Sequence, residues 1–529
     1  LVYTKLYSNL SLCKNLISQQ LSLLAKGNAQ SYLRIGQIGI EKESLRTDAQ
    51  ANIAQSDHPL ALGAALTHPF ITTDYSEALL EFVTPPLLDS KQALAFLDDI
   101  HRFVYPQIGP ESLWPASMPP RLAGEQSIRI AHYGSSNLGQ MKEVYRRGLG
   151  YRYGKTMQVI AGIHVNLSID PAFWPRWQAL KNDQTELRDF IDQQYFIQIR
   201  NLQRVGWLIP YLFGASPVVD ETFRHAGAGR LTEFDRHTRI AEEATSLRLG
   251  DIGYTNHREN EIGIKACYTN LQEYVHCLAS AISKPYQPYE EIGVCVDGSY
   301  RQLNANILQI ENEYYSNVRP KQITRQNEKP THALLQRGVR YVEIRSLDLN
   351  PFSARGVEQQ QLDFIELLFL YCLLAGDQSI DRRQREEIDI NAYEVSHHGR
   401  RANLELRRDG KSVPLAEWGE SIFSEMRQLA ELLDRPDYMA VLDCYLPALQ
   451  DVNETLSARV LQEMKLKSAS YLDLIHGYAK SYQAATEPLA PEREQEFMRI
   501  AAESLAKQKQ LEAADSLPFS DFLTEYFAR

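Results

Sequence analysis

An α+β fold with a mainly helical last third is predicted for this chain, and two observations predict it. From about residue 36 to 350, short segments of alternating apolar and polar residues mix with helical patterns and are punctuated often by turn residues. Beyond Gln359, apolar residues recur at helical spacing and no clear strand follows. A chain of 529 residues with 44% hydrophobic and 23% charged side chains has the make-up of a globular protein with a sizeable core.

Four strand-like segments in the first part carry charged or polar groups on one face, because side chains alternate across a strand. In Gly39-Ile-Glu41-Lys-Glu43-Ser-Leu-Arg46, two carboxylates lie two residues apart and share a face, where they repel unless solvated or bridged by a cation. In Ile71-Thr-Thr-Asp74-Tyr-Ser-Glu77-Ala-Leu-Leu-Glu81-Phe-Val-Thr-Pro85-Pro86, Glu81 is set among Leu79, Leu80, Phe82 and Val83. An acid inside such an apolar run seldom lacks a partner. Residues 79–84 read as a strand closed by two prolines, although Asp74, Glu77 and Glu81 also fit one helix face.

The cleanest alternation is Gly162-Ile-His164-Val-Asn166-Leu-Ser168, with Ile163, Val165 and Leu167 on one face and His164, Asn166 and Ser168 on the other. A half-buried strand with a solvated polar face has the same pattern. In Tyr341-Val-Glu343-Ile-Arg345-Ser-Leu347, Glu343 and Arg345 share a face, where a plain salt bridge is the alternative to a functional pair. Together the segments offer Glu41, Glu43, Asp74, Glu81 and Glu343 as hard oxygen ligands with His164 as a nitrogen ligand, a set that suits magnesium or manganese better than zinc.

After the last strand, Leu362, Ile365, Leu368, Phe369 and Cys372 predict a long helix. Its apolar run at 367–375 is too short to cross a bilayer, which takes about 20 residues. Residues 1–376 are expected to form the core. Residues 377–412, dense in charge, are expected to form a surface excursion, with His397 and His398 solvent-exposed in a loop. Residues 413–529 are expected to pack on the core as helices, with Pro491 at the first position of one of them.

Several functions are disfavoured. A net charge of −11 supplies no basic field for nucleic acid or anionic lipid. Gly148-Leu-Gly-Tyr-Arg-Tyr-Gly154-Lys155-Thr156 has the wrong glycine spacing for a phosphate-binding loop, and a strand-like segment follows it instead of a helix. Ala226-Gly-Ala-Gly229 has too few glycines for a dinucleotide fingerprint and reads as a mobile loop near a site entrance. Cys13, Cys267, Cys277, Cys295, Cys372 and Cys444 are scattered, with no metal-type spacing, and read as reduced thiols of a cytoplasmic protein. Lys14, Gln19 and Gln20 interrupt the apolar N-terminal stretch, so no signal peptide is expected.

On these blocks the sequence closely resembles the proteobacterial type of glutamate-cysteine ligase, also called γ-glutamylcysteine synthetase. The likeness continues through Trp114-Pro-Ala-Ser-Met-Pro119, Gly206-Trp-Leu-Ile-Pro-Tyr-Leu-Phe-Gly-Ala-Ser-Pro217, Thr245-Ser-Leu-Arg-Leu249, Gly253-Tyr-Thr-Asn256, Leu308-Gln-Ile-Glu-Asn-Glu313 and Arg319-Pro-Lys321. One departure is Ile-Glu-Lys-Glu-Ser after Gly39, where the family often has Leu-Glu-Arg-Glu-Thr; both acids and their spacing survive.

The resemblance implies a glutamine-synthetase-like curved, mostly antiparallel sheet with helices outside and a metal- and ATP-binding concave face. It implies ATP-dependent ligation of the glutamate γ-carboxylate to the cysteine amine through γ-glutamyl phosphate, the first step of glutathione synthesis. Glu43, Asp74 and Glu81 would hold one magnesium group, and Glu41, His164 and Glu343 another. Arg345 would steady the moving phosphoryl group, with Glu343 beside it. Tyr145, Tyr254 and Tyr315 would surround the cysteine side chain, Arg248 would pair with a substrate carboxylate, and Asn166 would contact substrate. A monomer with small-molecule partners only is expected, without nucleic acid or membrane. The rivals are a related carboxylate-amine ligase with another amine acceptor and a non-catalytic amino-acid or nucleotide sensor.

Overall fold

The computed structural model describes residues 17–223, 231–253, 266–325 and 328–528. Its centre is a seven-stranded sheet. In chain order the strands are β1 (Ile35–Thr47), β2 (Ile71–Thr73), β3 (Leu79–Val83), β4 (Ser112–Leu113), β5 (Ile163–Ile169), β6 (Val318–Lys321) and β7 (Tyr341–Leu347). They lie in the order β6-β7-β5-β1-β3-β2, with β4 paired to the far end of β1, and every pairing is antiparallel. The expected α+β class with an antiparallel sheet is what the chain adopts.

The sheet has one apolar face and one polar face, as alternation requires. Ile38 and Ile40 of β1, Leu80 and Phe82 of β3, Val165 and Leu167 of β5, and Val342 and Ile344 of β7 are all fully buried. The helices Ser90–Val104, Leu187–Val205 and Gln359–Leu374 pack as a layer with the sheet. The last of these begins with a reciprocal cap between Glu358 and Gln361, and every residue from Gln361 to Leu374 is buried. Each fully buried leucine, isoleucine or phenylalanine there contributes about 1.5–3 kcal/mol of transfer free energy.

The region 71–83 is strand, bend and strand, so the helical alternative for Asp74, Glu77 and Glu81 does not form. Glu77 is buried in the bend and accepts hydrogen bonds from the backbone N–H groups of His58 (2.9 Å) and His132 (2.8 Å), away from the acids of the sheet face. A backbone bend of this kind resets the side-chain directions, which a fixed period cannot represent.

Residues 382–398 form a helix, Arg382–His398, opened by a reciprocal cap between Asp381 and Gln384. His397 and His398 therefore end a helix instead of standing in an exposed loop. His397 Nε2 accepts a hydrogen bond from the Asp251 N–H at 2.9 Å, and His398 Nδ1 lies 3.2 Å from Glu243. The buried residues of this helix, Glu387, Asn391, Val395 and Ser396, are mostly polar, so hydrophobic periodicity does not reveal it. A hairpin follows, with Glu405–Arg408 paired to Lys411–Pro414.

The last third is helical: Leu415–Leu432, Pro436–Gln450, Leu456–Lys467, Tyr471–Ala485, Pro491–Ala514 and Phe519–Ala528. Pro491 occupies the first turn as expected, where its missing N–H leaves no bond unmade. That helix is seated on the segment between β1 and β2. Ser504 Oγ accepts from the Ala64 N–H at 2.9 Å, and Gly63, at φ +86°, leaves room for the Ser504 hydroxyl where a Cβ would come within 2.3 Å.

Candidate active site

The polar face of the sheet gathers the predicted acids through strand register. On β1, Glu41 stands opposite His164 of β5, and Glu43 stands opposite Glu81 of β3. On the other side of β5, Asn166 is opposite Glu343 of β7. Lys42, between the two acids, faces the helix layer, where its Nζ donates to the Ala354 carbonyl at 3.0 Å and lies 2.6 Å from His101 Nε2. Burial pushes this amine down to about 7.

Two groupings result. In the first, Glu41, His164 and Glu343 offer ligand atoms that all lie within 4.8 Å of one another. His164 Nδ1 is 3.0 Å from Glu41 Oε2 and 3.7 Å from Glu343 Oε1, and Asn166 Nδ2 donates to Glu41 Oε1 at 2.9 Å. Arg345 Nη1 donates to Glu343 Oε1 at 2.7 Å, and Lys321 Nζ is 3.3 Å from Glu343 Oε2. Burial acts to raise Glu343, but Lys321, Arg345 and Arg319 outweigh it and hold this carboxyl well below its ordinary range. Burial lowers the His164 imidazole, and the Arg345 charge adds to that effect.

The second grouping is Glu43, Glu81 and Asp74. Burial, followed by the nearby Asp74 charge, pushes Glu43 up to about 8 even though Arg248 and Arg345 oppose the shift and the Gly162 N–H donates to Glu43 Oε2 at 2.6 Å. Burial and the charges of Glu41, Asp74 and Glu43 raise Glu81 well above its ordinary range. Asp74 lies in the bend after β2, with Arg146 Nη2 4.0 Å from its Oδ1 and Arg146 Nε donating to its carbonyl. Acids held this way are short of positive charge, and a hard divalent cation supplies it.

Arg248, in the turn Leu247–Leu249, reaches the same face. Its Nη2 donates to the Arg345 carbonyl at 2.8 Å, and its charge is felt by Glu43 and by Tyr315. The Tyr315 hydroxyl donates to Asn317 Oδ1 at 3.1 Å, and burial raises it. Tyr145 sits on the helix Asn137–Tyr153, one residue before Arg146. Tyr254 and the segment 226–229 lie outside the described residues. Tyr315 helps to line a cavity of about 590 Å³, together with Trp207, Asp251, Tyr314 and Asn317.

Five neighbouring groups escaped the sequence reading: Lys142, Arg146, Arg319, Lys321 and Asp348. Arg319 and Lys321 alternate around Val318 and Pro320, so the rule that paired Glu343 with Arg345 also places these two on one face. Lys142 and Arg146 share a helix face at i,i+4, a signal that was present but had no partner to point to. Burial pushes Lys142 down to about 8, against the charges of Glu81 and Asp74.

The family model for glutamate-cysteine ligase matches residues 21–395, which include every acid of this face. The chain belongs to that family. Curated glutamate-cysteine ligases extend the match to nearly full length: the one from Alcanivorax borkumensis is 42% identical over 524 residues, covering 97% of this chain and 99% of that protein. The one from Pseudomonas fluorescens is 43% identical over 519 residues, covering 97% of each. The crystal structure of glutamate-cysteine ligase from Francisella tularensis in complex with AMP superposes with a TM-score of 0.88 at 32% identity, over 94% of this chain and 99% of that one. A bifunctional glutathione synthetase from Pasteurella multocida superposes with a TM-score of 0.69 at 26% identity, over 88% of this chain and 54% of that one. The sheet with its acidic face is thus part of a glutamate-cysteine ligase architecture.

Proposed function

We propose that this chain joins the γ-carboxylate of glutamate to the amine of cysteine, converting ATP to ADP and phosphate and yielding γ-glutamylcysteine, the first step of glutathione synthesis. The observation that carries the reading is the meeting of Glu41, Glu43, Glu81, His164, Glu343 and Arg345 on one sheet face in a member of the glutamate-cysteine ligase family. The AMP complex of the Francisella tularensis relative supports an adenine nucleotide as the phosphoryl donor.

A carboxylate at neutral pH is a poor acyl donor, so one of its oxygens must become part of a leaving group. In the proposed sequence a γ-carboxylate oxygen attacks the γ-phosphorus of ATP, the bond to ADP breaks, and γ-glutamyl phosphate forms. The neutral cysteine amine then attacks the acyl carbon and phosphate departs. Arg345 is the group that steadies charge on the transferred phosphoryl group, and Glu343 holds its guanidinium in place. Arg248 is assigned to a substrate carboxylate, Asn166 to substrate contact, and Tyr145 and Tyr315 to the cysteine side chain, a role the family resemblance also implies for Tyr254.

The donor set fits magnesium, with manganese as the alternative: oxygen-rich, one imidazole, and two carboxyls that face each other, the buried Glu43 and the half-buried Glu81. Glu43, Asp74 and Glu81 would hold one cation and Glu41, His164 and Glu343 another. Bound there, magnesium supplies charge neutralisation and alignment of phosphate oxygens. Catalysis is assigned to residues 1–376, with 377–412 as a surface excursion and 413–529 as helices packed on the core, all one functional unit. No described helix is long and apolar enough to cross a membrane. A cytoplasmic monomer is proposed, and the five described cysteines, all free, suit a reducing compartment.

The acyl phosphate is tested with glutamate carrying oxygen-18 in the γ-carboxylate. One labelled oxygen is expected in the released phosphate; unlabelled phosphate alongside the amide product would overturn the mechanism.

A further inference from the structure

We infer that Asp348 and Gly162 are positioning residues for the Arg248 guanidinium, fixing its place so that its unbonded edge can receive a substrate carboxylate. The inference rests on the proposed reading of Arg248 as that carboxylate's anchor. Three observations lead to it.

Asp348 lies just past the end of β7 and is 1% exposed. Its carboxylate accepts hydrogen bonds from the Ala215 N–H at 2.8 Å, the Ser216 hydroxyl at 2.6 Å and the Ser246 hydroxyl at 2.9 Å. A nearby cation further offsets the cost of burying this carboxylate. The cation is Arg248, whose Nη1 stands 3.7 Å from Asp348 Oδ1. Asp348 thereby ties the turn that carries Arg248 to the strand that carries Arg345.

Gly162 sets the opposite limit. A Cβ there would come 2.1 Å from Arg248 Nη2 and 2.5 Å from Cζ, so the guanidinium packs directly on the Gly162 backbone. Any larger residue must push it away. Nη2 is spent on the Arg345 carbonyl at 2.8 Å, but Nη1 is buried and makes no hydrogen bond to any described residue. A guanidinium nitrogen that faces a carboxylate at ion-pair distance without a hydrogen bond keeps donor capacity that a substrate carboxylate can use. The Arg345 carbonyl on which Nη2 is held, and Gly162, whose N–H donates to Glu43 Oε2 at 2.6 Å, place the guanidinium beside the acidic face.

The test is steady-state kinetics on the full chain with ATP and magnesium, varying glutamate and cysteine separately. Arg248→Gln is expected to raise KM about 10- to 100-fold for one amino acid and much less for the other. Asp348→Asn keeps the shape and three acceptor contacts in part. It is expected to raise KM for that same amino acid about 5- to 20-fold, with a far smaller fall in kcat, as a ground-state anchor loosened without loss of reacting groups requires. Gly162→Ala displaces the guanidinium by contact alone and should raise the same KM, which keeps the inference testable where Asp348→Asn folds poorly. If Arg248→Gln is selective but neither other variant is, the positioning role is overturned while the anchor stands. If Arg248→Gln shows no selective effect, the anchor reading and this inference both fall. A purely structural Asp348 would lower the melting temperature without a substrate-selective change in KM.

Discussion

Glu43 and Glu81 stand directly opposite one another on adjacent antiparallel strands, β1 and β3, and both carboxyls are held above their ordinary range by burial and by neighbouring acids. Two acids so placed are a poor way to stabilise a sheet and a good way to attract a cation. The pairing separates a structural use of this face from a catalytic one.

Glu81→Gln keeps the size and shape of the side chain and removes one of the opposed acids. Ligation is expected to fall at least about 100-fold, the scale for loss of a group that stabilises developing charge. Without added cation, the melting temperature should stay equal or rise, because the amide is neutral without the proton that the raised Glu81 carboxyl must take up on folding. Thermal melting and turnover on the same sample check both halves.

Arg345 Nη1 donates to Glu343 Oε1 at 2.7 Å from a rigid guanidinium whose other N–H groups remain directed elsewhere, a geometry that a lysine ammonium does not reproduce. Arg345→Lys keeps the charge but loses the fixed, multiple donors of the guanidinium. A fall in kcat of about 100-fold with little change in either amino-acid KM is expected, and rapid-quench measurement of ADP formation checks that phosphoryl transfer is the slowed step.

Glu366 lies in the helix layer, away from the acids. Burial pushes it up to about 7, while the Tyr438 hydroxyl donates to its Oε2 at 2.9 Å and works against the shift. Its folded value is above the unfolded one of 4.5, so between these values the folded chain holds a proton that the unfolded chain has lost. Stability from this group is present below pH 4.5 and falls as pH rises to about 7, by at most about 3 kcal/mol. Glu366→Gln, neutral throughout, should gain on the parent chain between pH 5 and 8 in melting temperature; a constant difference across that range would contradict the account.

Arg152 and Glu313 form an ion pair at 2.9 Å with both side chains fully buried, and Gln302 and Tyr153 share the network. Removing one partner leaves an uncompensated buried charge. Glu313→Ala is expected to destabilise the chain by about 3–5 kcal/mol, measured from the denaturant midpoint.

The parts of the fold legible in the sequence are those where one face is apolar without exception. Ile163, Val165, Leu167 and Ile169 are all essentially inaccessible, so β5 announces itself and carries His164 and Asn166 with it. The same alternation reveals Glu41 with Glu43, and Glu343 with Arg345. Asp348 was not legible, because the register of β7 against β5 shifts between Ile344 and Leu347, and alternation counted along the strand loses its meaning there. The helix Arg382–His398 was missed for a related reason: it buries Glu387 and Asn391, not a hydrophobic stripe. Spacing pairs Glu41 with Glu43 and Glu343 with Arg345 within their own strands, but joining these to Glu81 and Asp74 takes the strand register, and the cations that balance them come from separate elements, Lys321 from β6 and Arg146 from the helix Asn137–Tyr153. Only the fold brings those together.

The most direct test of the central claim is ADP release by the purified full chain with ATP and magnesium, supplied with glutamate alone, cysteine alone, both together, or glutamate with 2-aminobutyrate, with the product identified by mass. The account predicts sustained turnover with glutamate and cysteine together and γ-glutamylcysteine as the product. Nucleotide binding without turnover under any of these conditions would contradict it.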